Sequence, residues 1–154
     1  PASQKIASIT PILKKPSLDP LDLGNYRPIS NLTFLSKLLE RAAYEQIVGY
    51  MECHHLLPPL QSAYQKHRST ETATIKVMSD IYRAADAGLV TLLDLSAAFD
   101  TVDHVILLAR LQHRYGVTGL ALRWIESYLT GRSQLVRFNG ETSATTMVTS
   151  GVPH

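Results

Sequence analysis

The sequence predicts an α+β fold, with helices concentrated in its first part and strands in its second. Three patterns carry that expectation. Apolar residues recur every four positions through residues 31–51, the mark of an amphipathic helix. The run Leu89-Val90-Thr91-Leu92-Leu93-Asp94-Leu95 is almost wholly apolar and has the length of a short buried strand. Asn139-Gly140 then sits between two extended stretches, the strongest two-residue hairpin signal.

In chain order, Ile6 to Leu13 reads as an edge strand, because Pro11 would remove a donor from a central ladder. A loop rich in turn formers follows (Pro16, Asp19, Pro20, Gly24). Pro28 biases Arg27 toward extended backbone. The first helix runs from about Asn31 to Met51, with Leu35, Leu39, Ala43, Ile47 and Met51 on one stripe and Lys37, Glu40, Arg41 and Glu45 largely between them. Pro58 and Pro59 end that region. Ser69 is placed to cap a second helix through about Ala87, with Ile75, Met78, Ile81 and Tyr82 on one face and Gly88 as the stop. After the 89–95 strand, Asp103 is placed to cap a helix through Tyr115 closed by Gly116. Thr118 is placed to cap another through Thr130 closed by Gly131. Residues 133–148 form the expected hairpin.

The 154 residues are 45% hydrophobic, enough for one compact domain or two small lobes. With 15 basic and 13 acidic side chains, the formal charge of +2 neither marks nor excludes a nucleic-acid partner. Cys53 is the only cysteine, so no internal disulfide can form, which fits a reducing intracellular setting. No run of about 18 apolar residues is present, and no signal segment opens the chain, so neither membrane spanning nor secretion is expected. The first residue is not methionine, and Ser150-Gly151-Val152-Pro153-His154 reads as the middle of a turn. Both ends are expected to be cuts through a longer chain.

The chemistry concentrates in Leu93-Asp94-Leu95-Ser96-Ala97-Ala98-Phe99-Asp100-Thr101-Val102-Asp103-His104. A carboxylate at the end of an apolar strand is costly to bury alone, by several kcal/mol. A divalent cation would keep Asp94 ionised, and Mg²⁺ is typically held by one or two carboxylates together with substrate phosphates. Against this stands a plainer reading, in which Asp94, Asp100 and Asp103 are caps and turn formers. Phe99 equally suits core packing, and Lys14, Lys15 and Arg27 suit a solvated basic face. Cys53-His54-His55 has metal-ligand residue types but no second cluster to complete a site, and fits an ordinary inter-helix loop.

The stretch from Leu93 to His104 closely resembles the first catalytic motif of reverse transcriptases from LINE-type (non-LTR) retrotransposons. Ile9-Thr10-Pro11-Ile12-Leu13-Lys14-Lys15-Pro16 and Asn25-Tyr26-Arg27-Pro28-Ile29-Ser30-Asn31 resemble that family's two fingers motifs, in the same order. The stretch from Leu60 to Thr72 resembles the approach to the palm, and Ser150-Gly151-Val152-Pro153 resembles the start of the next motif, where His154 stands in place of the usual glutamine.

This resemblance implies a right-hand polymerase fold, truncated: fingers over residues 1–88 and an incomplete palm over 89–154. It implies RNA-templated DNA synthesis from a DNA primer in the intact protein, with Mg²⁺ and deoxynucleoside triphosphates, in nucleus and cytoplasm. Asp94 would bridge two magnesium ions, with the Leu95 carbonyl on one of them. Phe99 would be the steric gate against a ribose 2′-OH. Arg27, with Lys14 or Lys15, would meet the triphosphate, a use suited to a bidentate guanidinium. Asp100 and Asp103 are left to structural work. The aromatic-alanine-Asp-Asp motif of the family is absent from these 154 residues, so no activity is expected of them alone. The rival expectations are a non-catalytic relic that at most binds nucleic acid or a protein, and a helical scaffold domain.

Overall fold

The computed structural model describes residues 4–85, 88, 91–95 and 97–152. The chain divides into two compact units, one of residues 1–49 and 97–154, the other of 50–96.

The larger unit is organised by a mixed sheet. Strand β1 (Ile6–Leu13) pairs antiparallel with β2 (Tyr26–Asn31) and parallel with β3 (Arg132–Phe138). Strand β3 carries β4 (Glu141–Thr142) at its far end and β5 (Thr146–Val148) along its start, both antiparallel. The predicted edge position of β1 is therefore corrected: β1 lies between β2 and β3. Pro11 is tolerated there because the ladder to β3 stops at Ile9–Val136, and on the other side Pro11 faces Pro28. Two residues without N–H groups can face each other only at a non-hydrogen-bonded position of an antiparallel pair, so no ladder bond is lost.

The expected hairpin is present. Asn139 and Gly140 turn it with φ of 50° and 85°, the left-handed pair such a turn demands. Ser143 breaks the returning strand: it accepts the Val136 N–H on its hydroxyl at 2.9 Å while its own N–H donates to the Val136 carbonyl at 2.9 Å.

Helix α1 (Phe34–Cys53) starts three residues later than its periodicity predicts, because Asn31 still belongs to β2 and the Thr33 hydroxyl accepts the Ser36 N–H at 3.3 Å. Helix α3 (His104–His113) is capped by Asp103, whose carboxylate accepts the Ile106 N–H at 2.9 Å. Gly116 follows at φ 68°. Helix α4 (Gly119–Leu129) has Thr118 at its N-cap, but the predicted side-chain cap does not form. The helix ends at Thr130 and Gly131 (φ 65°), and the Lys5 ammonium donates to the Ser127 and Thr130 carbonyls at 2.6 and 2.9 Å. The core of this unit is Val117, Ile125 and Leu129, packed by Ile47 of α1, Leu107, Leu108 and Leu111 of α3, and Leu122 and Tyr128 of α4.

The smaller unit holds the last turn of α1, helix α2 (Thr70–Ala85) and residues 91–95. Ser69 caps α2 as predicted, in a reciprocal pair: its hydroxyl accepts the Thr72 N–H at 3.3 Å and its own N–H donates to the Thr72 hydroxyl at 3.0 Å. Gly88 (φ 88°) returns its N–H to Ala84 and Ala85. The predicted apolar face of α2 is largely open, with Ile75 and Tyr82 69% and 68% exposed.

The buried strand expected at 89–95 is corrected. Residues 89 and 90 lie outside the described residues, and 91–95 have no regular structure. Leu92, Leu93 and Leu95 are 74%, 88% and 77% exposed. Apolar composition supplies the face of a buried strand but not its ladder, and none of the described residues pairs with this run.

Candidate functional site

The β1–β2 pair presents the predicted cations. Arg27 lies opposite Ile12, and Lys14 follows β1 with its N–H bonded to the Asn25 carbonyl at 2.8 Å. The intervening loop is held by its own aspartates: Asp19 accepts the Leu21 N–H and Asp22 the Gly24 N–H, both at 2.9 Å. The Lys14 ammonium donates to the Gly24 carbonyl at 2.7 Å. Lys15 and Arg27 are exposed, and their side chains make no hydrogen bond or ion pair among the described residues. Lys14 is thus partly engaged by its own loop, whereas Lys15 and Arg27 keep their charged heads in water.

A second constellation joins the loop after Ala97 to the segment 150–152. Ala97 turns the chain at φ 51°, and the Asp100 and Thr101 N–H groups return to its carbonyl at 3.0 and 3.2 Å. The Gly151 N–H donates to Val102 O at 2.8 Å, and the Val152 N–H to Phe99 O at 2.9 Å. His104 Nε2 meets Gly151 O at 2.7 Å, and the Ser150 hydroxyl donates to Asp100 O at 3.2 Å. Gly151 is buried at φ 85°, so close to Asp100 that a Cβ would stand 2.9 Å from the Asp100 carbonyl oxygen. Phe99 itself is 45% exposed.

Beside this contact lies a cavity of about 520 Å³ on one face of the sheet, lined by Ile9, Pro28, Gln134, Arg132, Asp100 and Gly151 among others. Pleat alternation turns Pro28 and Ser30 toward it and Arg27 to the opposite face. Arg27 therefore does not line the cavity.

Asp94 and Leu95 belong to the smaller unit and are exposed. The Asp94 carboxylate accepts no hydrogen bond and joins no ion pair among the described residues. No group of three His, Cys, Asp or Glu side chains converges on a metal position among those residues. A carboxylate and a backbone carbonyl are oxygen donors of the kind Mg²⁺ takes, so Asp94 and Leu95 fit a share of such a site. The His54 ring lies tilted by 37° against that of Tyr50, 4.5 Å between ring centres, with its Nδ1 2.9 Å from the Tyr50 carbonyl.

Several contacts escape sequence reasoning. Tyr128 donates to Glu40 at 2.6 Å, stacks on Trp124 at 5.4 Å and lies beneath the Arg132 guanidinium at 4.7 Å. Burial, aided by the bond to Glu40, holds the Tyr128 phenol well above the usual tyrosine range. These partners are 88 residues apart, and neither residue type announces the other. His104 and Gly151 are likewise 47 residues apart. Only the motif resemblance marks both stretches, and it does not say that they touch. No helix among the described residues is long and apolar enough to cross a membrane.

Known proteins resemble this chain along nearly its whole length. The family model described as reverse transcriptase (RNA-dependent DNA polymerase) matches residues 12–154. A probable RNA-directed DNA polymerase from transposon X-element of Drosophila melanogaster is 32% identical over 94% of this chain, which covers 16% of that relative. The RNA-directed DNA polymerase from mobile element jockey of Drosophila funebris is 31% identical over 99% of the chain, covering 17% of the relative. A probable RNA-directed DNA polymerase from transposon BS of Drosophila melanogaster is 30% identical over a similar span. The chain thus spans about one sixth of the length of these relatives. With the family model matched from Ile12 onward and such relatives aligned along nearly the whole chain, the chain belongs to the reverse transcriptase family, on the branch of LINE-type (non-LTR) elements.

Proposed function

We propose that the chain is the fingers (1–88) and the first part of the palm (89–154) of a right-hand RNA-directed DNA polymerase, with an RNA template, a DNA primer, deoxynucleoside triphosphates and Mg²⁺. The observation that carries this reading is the division of labour among the aspartates of the first motif. Asp103 is occupied as a helix cap, whereas Asp94 accepts no hydrogen bond among the described residues and stands between exposed leucines.

On this reading Asp94 and the Leu95 carbonyl each offer an oxygen to magnesium. The metal ions, once bound, would lower the pKa of the primer hydroxyl and stabilise charge on the attacking and leaving oxygens. Phe99 would wall off the sugar position where a 2′-OH would sit. Arg27 and Lys15, with uncommitted charges, would meet the triphosphate, and Lys14 would assist through its loop.

The relatives' length bears on activity. Two divalent ions need several carboxylates at once, and Asp94 alone cannot neutralise both. The 154 residues by themselves are therefore proposed to be inactive, and the reaction belongs to a full-length protein. Primer extension on a primed RNA template tests the reading. In the full-length protein Asp94→Asn should lower extension by more than about 100-fold with an unchanged far-UV spectrum. Activity within about tenfold of the parent would return Asp94 to a structural role. A full-length protein that extends no primer at all would instead be a relic.

A further inference from the structure

We propose that His104 is a positioning residue for the sugar-selecting wall, acting through the Ser150–Val152 segment on the backbone of Phe99. The inference rests on the reading of Phe99 as that wall. Its own basis is a set of contacts within the larger unit that the motif resemblance does not describe.

Phe99 sits on a short loop, and a loop side chain excludes one hydroxyl only if its backbone is held. The described contacts supply the hold. Val152 N–H fixes the Phe99 carbonyl at 2.9 Å, and Gly151 N–H fixes the Val102 carbonyl at 2.8 Å. The loop is thereby pinned at both ends by two consecutive residues. Those residues need an anchor of their own, and His104 provides it at 2.7 Å on the Gly151 carbonyl. A carbonyl only accepts, so Nε2 must carry the hydrogen. The imidazole is rigidly mounted, since His104 is the first residue of α3 and the preceding Asp103 caps that helix. Gly151 is buried and in backbone contact with Asp100, so the segment has little room to settle elsewhere. Without the imidazole, the Gly151 carbonyl loses this partner and the pin on Phe99 loosens.

The consequence is selective. A loosened wall admits the extra hydroxyl of a ribonucleotide while still binding the deoxynucleotide. A general folding defect lowers the active fraction and affects both substrates equally. The ratio of kcat/KM for a deoxynucleotide to that for the matching ribonucleotide separates the two cases.

The experiment compares full-length wild type, Phe99→Val, His104→Ala and His104→Gln in primer extension. Glutamine carries its amide nitrogen as many bonds from Cα as histidine carries Nε2, and can donate to the same carbonyl. His104→Ala should lower the ratio roughly 5- to 20-fold, the range expected of a residue coupled to a site through one packed element. His104→Gln should stay within about twofold of wild type. If His104→Ala proves too unstable to assay, Ser150→Ala removes only the outer bond to the Asp100 carbonyl and should shift the ratio in the same direction by less. An unchanged ratio in whichever of these two variants is assayed overturns the proposal. So does a His104→Gln variant as unselective as His104→Ala. Phe99→Val reports on the underlying reading separately: if it leaves the ratio unchanged, the wall is misassigned. If it alone relaxes the ratio, the wall stands and the role of His104 fails.

Discussion

Replacing Gly151 with alanine introduces one carbon atom where the backbone leaves no space. The new Cβ would lie 2.9, 3.0 and 3.1 Å from the carbonyl oxygen, Cα and carbonyl carbon of Asp100, all main-chain atoms that cannot swing aside. The residue would also keep φ near 85°, outside the comfortable range of an L-residue. Two outcomes compete. If the contact holds, the cost is left-handed strain of about 1–2 kcal/mol plus the overlap. If it opens, the strain is relieved and the hydrogen bonds around Gly151 and Ser150 are lost, about 1 kcal/mol each. Four such bonds set a ceiling of about 4 kcal/mol. Gly140→Ala is the matched control, since Gly140 has the same φ of 85° and nothing within 4 Å of its Cβ position. That substitution should cost only the strain, about 1–2 kcal/mol. The excess at Gly151 is then about 2–3 kcal/mol, which corresponds to a roughly 30- to 150-fold loss of hydrogen-exchange protection at the Val152 amide. Native-state exchange measures it directly. Equal losses for Gly151→Ala and Gly140→Ala, each read at the amides of its own turn, would refute the steric argument.

Arg27→Ala should raise the apparent KM for nucleotide more than it weakens template-primer binding, and Arg27→Lys should not restore it if the contact is bidentate; filter binding beside steady-state extension separates the two. Tyr128→Phe removes the donor to Glu40 while keeping the stack on Trp124 and should lower stability by about 1–2 kcal/mol in urea unfolding, with no effect expected if the Glu40 contact is incidental. Glu71, in the first turn of α2, has its pKa lowered, chiefly by a hydrogen bond from Ser69. Its stabilising contribution is therefore present above the ordinary glutamate range and is lost as pH falls through the depressed value. Exchange at the first amides of α2 should quicken over that acid window, and Ser69→Ala should weaken the dependence, leaving the smaller part due to the Glu71 backbone N–H.

Local signals were legible where the chain itself supplies the partner. Asp103, Ser69, Asn139-Gly140, Gly88 and Gly116 all act within a few residues of their own position, so spacing alone locates them. Sequence reading failed where a distant partner decides. Pro11 pointed to an edge, yet β1 is central because β3 joins it from more than 120 residues away and stops before the proline. The 91–95 run has a strand's composition without a described ladder. Thr118 occupies the cap position but leaves its hydroxyl out of the cap. At the candidate site, Asp94, Phe99, Arg27, Lys14 and Lys15 were singled out by the motif resemblance alone. The contact between the two motif stretches was not readable, because it is made chiefly through main-chain carbonyls and N–H groups that every residue carries.

The leucines around Asp94 and its proposed chemistry are linked by solvation. Leu92, Leu93 and Leu95 stand in water here, and burying each side chain would contribute about 1.5–3 kcal/mol. Whatever covers them also strips water from the carboxylate between them, and an ionised carboxylate cannot be desolvated unpaired without a penalty of several kcal/mol. Covering the run therefore favours either protonation of Asp94 or arrival of a cation. A divalent ion held by further oxygen donors relieves the penalty and keeps the charge. On the proposed reading, then, the apolar run is what makes metal binding and assembly of the palm mutually dependent. Each alone leaves a cost that the other removes: exposed leucines without the palm, a stranded carboxylate without the metal.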